Sequence, residues 1–206
     1  KKDGDFGGKG KNVLFCAKGN NVINICQGVV QAAGGSHKWW IEQILLSDQM
    51  DADQDKMEAL GENQVLFYPH IAGDKTLYSD AGLRGAFLNL GSYTRREHMT
   101  QAVLEGVAYA VREVLEALGV KKMPEKIRIS GGGTRSPVWM KIMANVLRTQ
   151  IEAHQAKASP GYGICLLAQM ADTGMKKRGT ESEEKNIYMP DAEMEKKYEK
   201  AYRKYQ

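Results

Sequence analysis

The sequence is poor in the features that would make its function easy to read. It has three cysteines in 206 residues, Cys16, Cys26 and Cys165. They are far apart and odd in number, so neither a disulfide framework nor a CxxC metal knuckle can be drawn, and a reducing, cytoplasmic compartment fits best. No apolar run approaches the roughly 18 residues a membrane span needs. The start, Lys1-Lys2-Asp3-Gly4-Asp5, lacks both a signal core and a methionine, and the expectation is a piece of something longer. His37, His70, His98 and His154 show no HExxH or HxxxH spacing, and the carboxylates of residues 48–62 do not follow the EF-hand pattern. Metal held by side chains of this chain is therefore not expected. There is no GxSxG elbow, and Cys26 and Cys165 lie in apolar stretches that read as core. Neither sign of charge dominates: 29 Lys and Arg against 25 Asp and Glu leave +4, well mixed along the chain, which indicates no nucleic-acid partner.

What is present suits a globular domain. The chain is 42% hydrophobic and 26% charged, with a mean hydropathy of -0.47, enough for a core at this length. Residues 1–12 hold four glycines and four lysines around one large apolar residue, Phe6, and read as a mobile N-terminal segment before one domain spanning 13–206. Val13 to Cys16 and Val22 to Cys26 flank the turn-prone Lys18-Gly19-Asn20-Asn21 as a hairpin. Ser36 is placed to cap a helix with Trp39, Trp40 and Ile44 on its apolar face. Residues 48–62 read as a polar surface helix or loop, Val65 to Tyr68 as a strand, and 71–90 as a long ordered loop. Thr94 with Glu97 forms a capping-box pattern for a helix through Leu118, stopped by Gly119. Ile127 to Ile129 and Gln150 to Ala153 read as strands, and Ile164 to Thr173 as an apolar helix. Residues 176–186 read as a solvated charged stretch. Met194, Tyr198, Ala201, Tyr202 and Tyr205 make a helical stripe after Pro190. Strands interleaved with helices point to a mixed α/β domain.

The strongest chemical signal is a strand entering Gly131-Gly132-Gly133, followed by Ser136 and Pro137 as N-cap and first helical residue. Bare backbone and the unpaired N–H groups of a helix start are what a nucleotide could use. No GK[ST] follows, and GxGxxG fails at Ser136. A tight turn packing a helix on a sheet accounts for the segment equally well. Gly34-Gly35 and Ser159-Pro160-Gly161-Tyr162-Gly163 are further glycine sites at helix entrances. Three such sites in so short a chain suggest a cleft of converging helix N-termini.

The segments together resemble the carboxyl-terminal domain of the FGGY carbohydrate kinases, which include xylulose, ribulose and glycerol kinases. The likeness rests on Phe67-Tyr68-Pro69-His70-Ile71-Ala72-Gly73-Asp74-Lys75-Thr76, on Arg84-Gly85-Ala86-Phe87-Leu88-Asn89-Leu90, on Tyr93 to His98, and on Ala102-Val103-Leu104-Glu105-Gly106-Val107-Ala108-Tyr109. These are similar to the family's GERxP loop, RGAFxGL segment, threonine-arginine helix start and VLEGVAF helix. Lys75 stands where the family has arginine, and residues 1–12 hold no GTS-like phosphate hairpin.

The resemblance implies an actin-like, ribonuclease H-like ATPase domain, α/β, with a mixed five-stranded sheet and flanking helices. It implies the ATP side of a sugar or polyol kinase, xylulose-like by its GGGTRSPVW segment, that uses ATP and Mg²⁺. The catalytic aspartate would belong to an upstream N-terminal domain absent from this chain, so no catalytic residue is expected here and the piece alone would be inactive. Carried over position by position, Gly131, Gly132 and Gly133 would meet adenosine, Ser136 would hydrogen-bond adenine, and Gly34 and Lys38 would border the nucleotide from the other side. The partners implied are ATP, a small sugar or polyol, the missing domain and a second copy as a homodimer, with no nucleic acid and no membrane. The alternative is a non-catalytic nucleotide- or protein-binding module on the same fold.

Overall fold

The computed structural model describes residues 9–17, 21–154, 160–173 and 185–206. Expectations for residues 1–8, for the turn residues 18–20, for Ser159 and for most of the charged stretch 176–186 lie outside these. The hairpin forms as β1 (Lys11–Ala17) and β2 (Asn21–Gln27), antiparallel with Lys11 opposite Gln27. It starts two residues earlier than the apolar run suggested.

Helix α1 (Ala33–Trp39) passes directly into a π-helical turn, Trp40–Ile44. Its N-cap is Ala32, and Ser36 lies inside the helix, fully buried, so the expected serine cap is not formed. Burial of Trp40 and Ile41 holds this register, and glycines 34 and 35 fall in the first turn, where N–H groups lack intrahelical partners in any case. After a loop containing a 3₁₀ turn at Gln54–Lys56, β3 (Leu66–Tyr68) pairs antiparallel with β4 (Ala86–Leu88), Phe67 opposite Phe87. The end of the presumed loop 71–90 is thus a strand.

Helix α2 (Arg96–Ala117) is capped by Arg95 with His98, whose Nδ1 accepts from the Arg95 N–H at 3.2 Å. The expected Thr94–Glu97 box is replaced because Thr94 Oγ1 accepts from the Gly91 N–H at 3.0 Å and closes the preceding turn. Gly119 ends the helix region at φ +78°, a left-handed conformation that glycine adopts freely.

Strand β5 (Lys126–Ser130) leads through a 3₁₀ turn into α3 (Pro137–Leu147) and then β6 (Gln150–His154), which lies parallel to β5. This is a βαβ unit with the glycines at the carboxyl end of β5. Helix α4 (Pro160–Thr173) follows, then β7 (Lys185–Tyr188), antiparallel to β6, and α5 (Ala192–Tyr205). Among the described residues the strands form one three-stranded and two two-stranded sheets, not one sheet of five. Cys165, expected in the core, is exposed together with Ile164, Leu167 and Met170. None of these side chains joins a core cluster of the described residues, and among the described residues no helix is long and apolar enough to cross a membrane.

The core is built around α2, in which Thr100 through Ala110 are all buried. One side packs on α3, β6 and the tyrosines of α5, and the other on Trp40, Ile41, Val65 and Phe67. Contact with β3 is so close that a Cβ on Gly106 would lie 2.0 Å from the Phe67 carbonyl oxygen. A helix buried on all sides still carries polar groups, and several of them find partners. Trp40 Nε1 donates to Thr100 Oγ1 at 2.8 Å, and Trp139 Nε1 donates to the Leu104 carbonyl at 3.1 Å. Glu105 Oε1 accepts from Gly61 N–H at 3.2 Å, Gln101 Nε2 at 2.8 Å and Tyr198 OH at 3.1 Å.

Two consequences are measurable. Gly106→Ala forces α2 off β3, and overpacking against backbone is expected to cost about 3 kcal/mol, lowering Tm by roughly 6–12 °C in thermal denaturation. Burial pushes the Glu105 carboxyl from 4.5 up to about 7, against the pull of its hydrogen bonds. A carboxyl raised in the folded state contributes stability that is fully present at pH below its unfolded value and is lost as pH rises through about 7. Denaturant unfolding between pH 4.5 and 7.5 should therefore show wild type losing about 3 kcal/mol relative to Glu105→Gln. A pH-independent difference between the two would remove this assignment.

Candidate functional site

The N-terminus of α3 and the exposed side of α1 enclose a cavity of about 550 Å³. Gly34, Lys38, Gly132, Gly133 and Ser136, five of the six residues singled out from the sequence, line it together. They come from segments roughly a hundred positions apart, brought together because α1 and α3 both pack on α2. Gly131 is not in the lining.

The three consecutive glycines have three different reasons. Gly131 sits at φ +108°, which only glycine adopts without strain. A Cβ on Gly132 would meet nothing within 4 Å. At Gly133 the added carbon would lie 2.9 Å from the Trp139 ring, so that position is reserved by packing. Positive φ thus belongs to Gly131 alone of the three. The quality that belongs to Gly132 is open space on the cavity side. Gly34 is equally open, with nothing within 4 Å of an added Cβ.

Ser136 caps α3: its Oγ accepts from the Trp139 N–H at 3.0 Å and donates to Gln54 Oε1 at 2.6 Å. A hydroxyl has one proton and two lone pairs, so one lone pair remains for a ligand. Gln54 belongs to the loop after α1. Its neighbour Asp53 holds a left-handed conformation, φ +64°, and accepts both Arg96 Nε and Nη2 at 2.7 Å. The Arg96 guanidinium holds the Asp53 carboxyl below the usual range. This loop is thereby tied to the starts of α2 and α3, and it contributes Met50 and Asp51 to the cavity.

His37, Arg135 and Trp139 also line the cavity and were not singled out from the sequence. Helical periodicity carries the signal for His37, since Gly34, His37 and Lys38 are i, i+3 and i+4 on α1. His37 is buried at 4% exposure, and its Nε2 has no hydrogen-bond partner among the described residues. Desolvation lowers its pKa below 6.5, so the ring is neutral at neutral pH. Lys38 pairs loosely with Glu42 at 3.8 Å, with both side chains well exposed, an ion pair too weak to hold it from a ligand. A second cavity, about 830 Å³, lies beside the first and is lined by Asp48, Asp51, Asp53 and Asp55 against only Lys56 and Arg96. Its negative excess makes it a poor seat for phosphates.

The free space at position 132 gives a clean separation of roles. Gly132→Val should leave Tm within about 2 °C of wild type, because the space around an added Cβ is open to 4 Å. If the cavity holds a nucleotide, the same change should weaken ATP binding at least about tenfold, read by chemical-shift titration. Loss of stability without loss of binding would assign the glycine to packing.

Comparison with known proteins bears on this geometry. The sequence profile described as "FGGY family of carbohydrate kinases, C-terminal domain" matches residues 20–171. The xylulose kinase of Staphylococcus xylosus is 29% identical over 153 residues, 70% of this chain and 31% of that protein. The crystal structure of a xylulose kinase from Brucella ovis superposes with a TM-score of 0.73 at 29% identity, covering 87% of this chain and 38% of that one. Glycerol kinase of Plasmodium falciparum, solved with ADP, shares the fold with a TM-score of 0.73 at 19% identity, over 95% of this chain and 41% of that one. The chain spans about a third of the length of the curated relatives it matches.

Proposed function

The chain belongs to the FGGY family of carbohydrate kinases, within its C-terminal domain, and from that premise we propose that it is the ATP-holding part of a kinase that phosphorylates a sugar or polyol hydroxyl. The observation that carries the proposal is the cavity itself. Bare backbone at Gly34 and Gly132, the cap of α3 and the flat Trp139 ring face one space, with Lys38 and Arg135 at its border. Relatives named xylulose kinase and glycerol kinase, and one neighbour solved with ADP, support both the nucleotide and the class of acceptor. A xylulose-like ketose is the acceptor we favour.

The residues divide the task by their chemistry. Gly34 and Gly132 let a flat base and ribose lie against backbone, with no Cβ in the way. The N-terminus of α3 offers the positive end of its dipole, while Lys38 and Arg135 supply mobile positive charge for phosphate oxygens. Among the described residues no three His, Cys, Asp or Glu side chains converge to hold a metal. Mg²⁺ would therefore arrive on the nucleotide's own phosphates, where it neutralises charge on the transferring group. A general base for the acceptor hydroxyl and the opposite wall of the cleft would come from a separate N-terminal domain.

The 206-residue chain alone should therefore bind ATP weakly and transfer no phosphate to xylulose, glycerol or gluconate in a coupled assay. Positioning and general-base catalysis, each about 10²-fold or more, need the other domain. Turnover at about 1–100 s⁻¹, ordinary for a kinase, would overturn the division of labour proposed here.

A further inference from the structure

Resting on the kinase reading above, we propose that α4 is a docking surface for the N-terminal domain: the face carrying Ile164, Leu167 and Met170 is covered by the same body that forms the opposite wall of the nucleotide cleft. No described residue of α4 lines either cavity, which leaves this helix without a part in the nucleotide site itself.

The composition of α4 does not suit a helix facing water. Its 14 residues carry one charged side chain, Asp172, in a chain that is 26% charged, and depletion of charge marks the core of an interface. Ile164 is 66% exposed, Leu167 67% and Met170 39%, at spacings that share one side of a helix, and Cys165 is exposed beside them. A helix of this length is marginal in water without a packed face. It also holds no Lys or Arg, the residues with which a helix lying on a membrane surface holds anionic headgroups.

The topology decides what can reach it. Strands β5 and β6 are parallel, so both deliver the chain to the same end of the sheet. Gly131 to Gly133 leave β5 there. The Thr134 hydroxyl, 2.8 Å from the Gly131 carbonyl oxygen and 3.4 Å from that of His154, ties this turn to the end of β6. Helix α4 begins at Pro160, six residues beyond His154, and so within about 22 Å of it at full extension. A domain that closes over the carboxyl ends of these strands, where ligands of such sheets lie, therefore stands beside α4. The relatives hold chain enough for it: about two-thirds of each lies outside the matched part. The matched profile is that of a C-terminal domain, which puts the remainder before it.

Cys165 is a reporter already in place, since thiol reactivity follows exposure. Alkylation by iodoacetamide, with Cys165→Ser assigning its share of the label, is compared between the 206-residue chain and the whole kinase that carries it behind an N-terminal domain. In the 206-residue chain, monomeric by light scattering, Cys165 should react about as fast as free cysteine, and in the whole kinase at least about tenfold more slowly. Leu167→Asp should leave the Tm of the 206-residue chain unchanged and lower that of the whole kinase. The inference is overturned if Cys165 reacts equally fast in both while the whole kinase phosphorylates its sugar, which leaves the kinase reading standing. It is also overturned if the 206-residue chain already protects Cys165, as a monomer by its own packing or as a dimer through a second copy, or if Leu167→Asp lowers both Tm values alike. If the gene encodes no preceding domain, or the whole protein transfers no phosphate to a sugar or polyol, the kinase reading fails and this inference falls with it.

Discussion

The structure depends on one close approach, the helix α2 laid against strand β3 with no side chain between Gly106 and the Phe67 carbonyl. Seating the helix that deeply buries every residue from Thr100 to Ala110, and this dictates much of what surrounds it. Two indole N–H groups reach its polar atoms from opposite neighbours, Trp40 from the turn after α1 and Trp139 from α3. Those two contacts fix the separation of α1 and α3. The cavity between these helices is the gap that remains. Its depth follows from Trp139, whose indole is hydrogen-bonded to α2 at its far edge and borders the cavity.

Local chemistry made parts of this legible in the sequence. Ser136 and Pro137 announced the start of α3, the apolar spacing of α2 announced its length, and the tyrosine stripe of α5 is buried as expected at Tyr198, Tyr202 and Tyr205. The resemblance to a kinase family, carried by ordered motifs, is upheld by the match over residues 20–171. Features fixed by distant partners were not legible. Nothing near Ser36 shows that packing of Trp40 would draw the helix start back to Ala33. Nothing in a run of three glycines shows that one serves dihedral freedom, one space and one the bulk of an indole. Cys165 has an apolar neighbourhood in sequence, yet its helix α4 shows that face outward. His37 was passed over because a lone histidine has no metal-ligand spacing, and its place one helical turn from Gly34 counts only once α1 is known to start at Ala33.

The loop of residues 47–56 shows how a polar segment can be structural. Its aspartates suggested only a solvated surface, but Asp53 grips Arg96 through two bonds while Gln54 takes the proton of Ser136. Arg96 remains more than half exposed, so the pair adds little to stability. Its effect is positional. One turn of chain is held to two helix starts at once, and Asp48, Asp53 and Asp55 of the loop line the neighbouring cavity while Asp51 borders both. The result is one cavity with an excess of carboxylates beside another in which Lys38 and Arg135 balance Glu42 and Asp51.

Helix α5 gives the core an order in time. Tyr198 and Tyr202 sit against Tyr109, and Tyr198 supplies one of the three donors to Glu105, across a separation of 93 residues. A ribosome delivers the chain from the N-terminal end at roughly 5–20 residues per second. The α2 face that α5 will cover is therefore finished several seconds before its cover exists. During that interval a nascent chain displays Leu104, Ala108 and Tyr109 beside an unsheltered carboxylate, and the charge on Glu105 at cellular pH keeps this face wetted until the tyrosines arrive. Burial of Glu105 then makes folding proton-consuming, while the hydroxyl that Tyr198 brings with α5 tempers the rise of the carboxyl pKa.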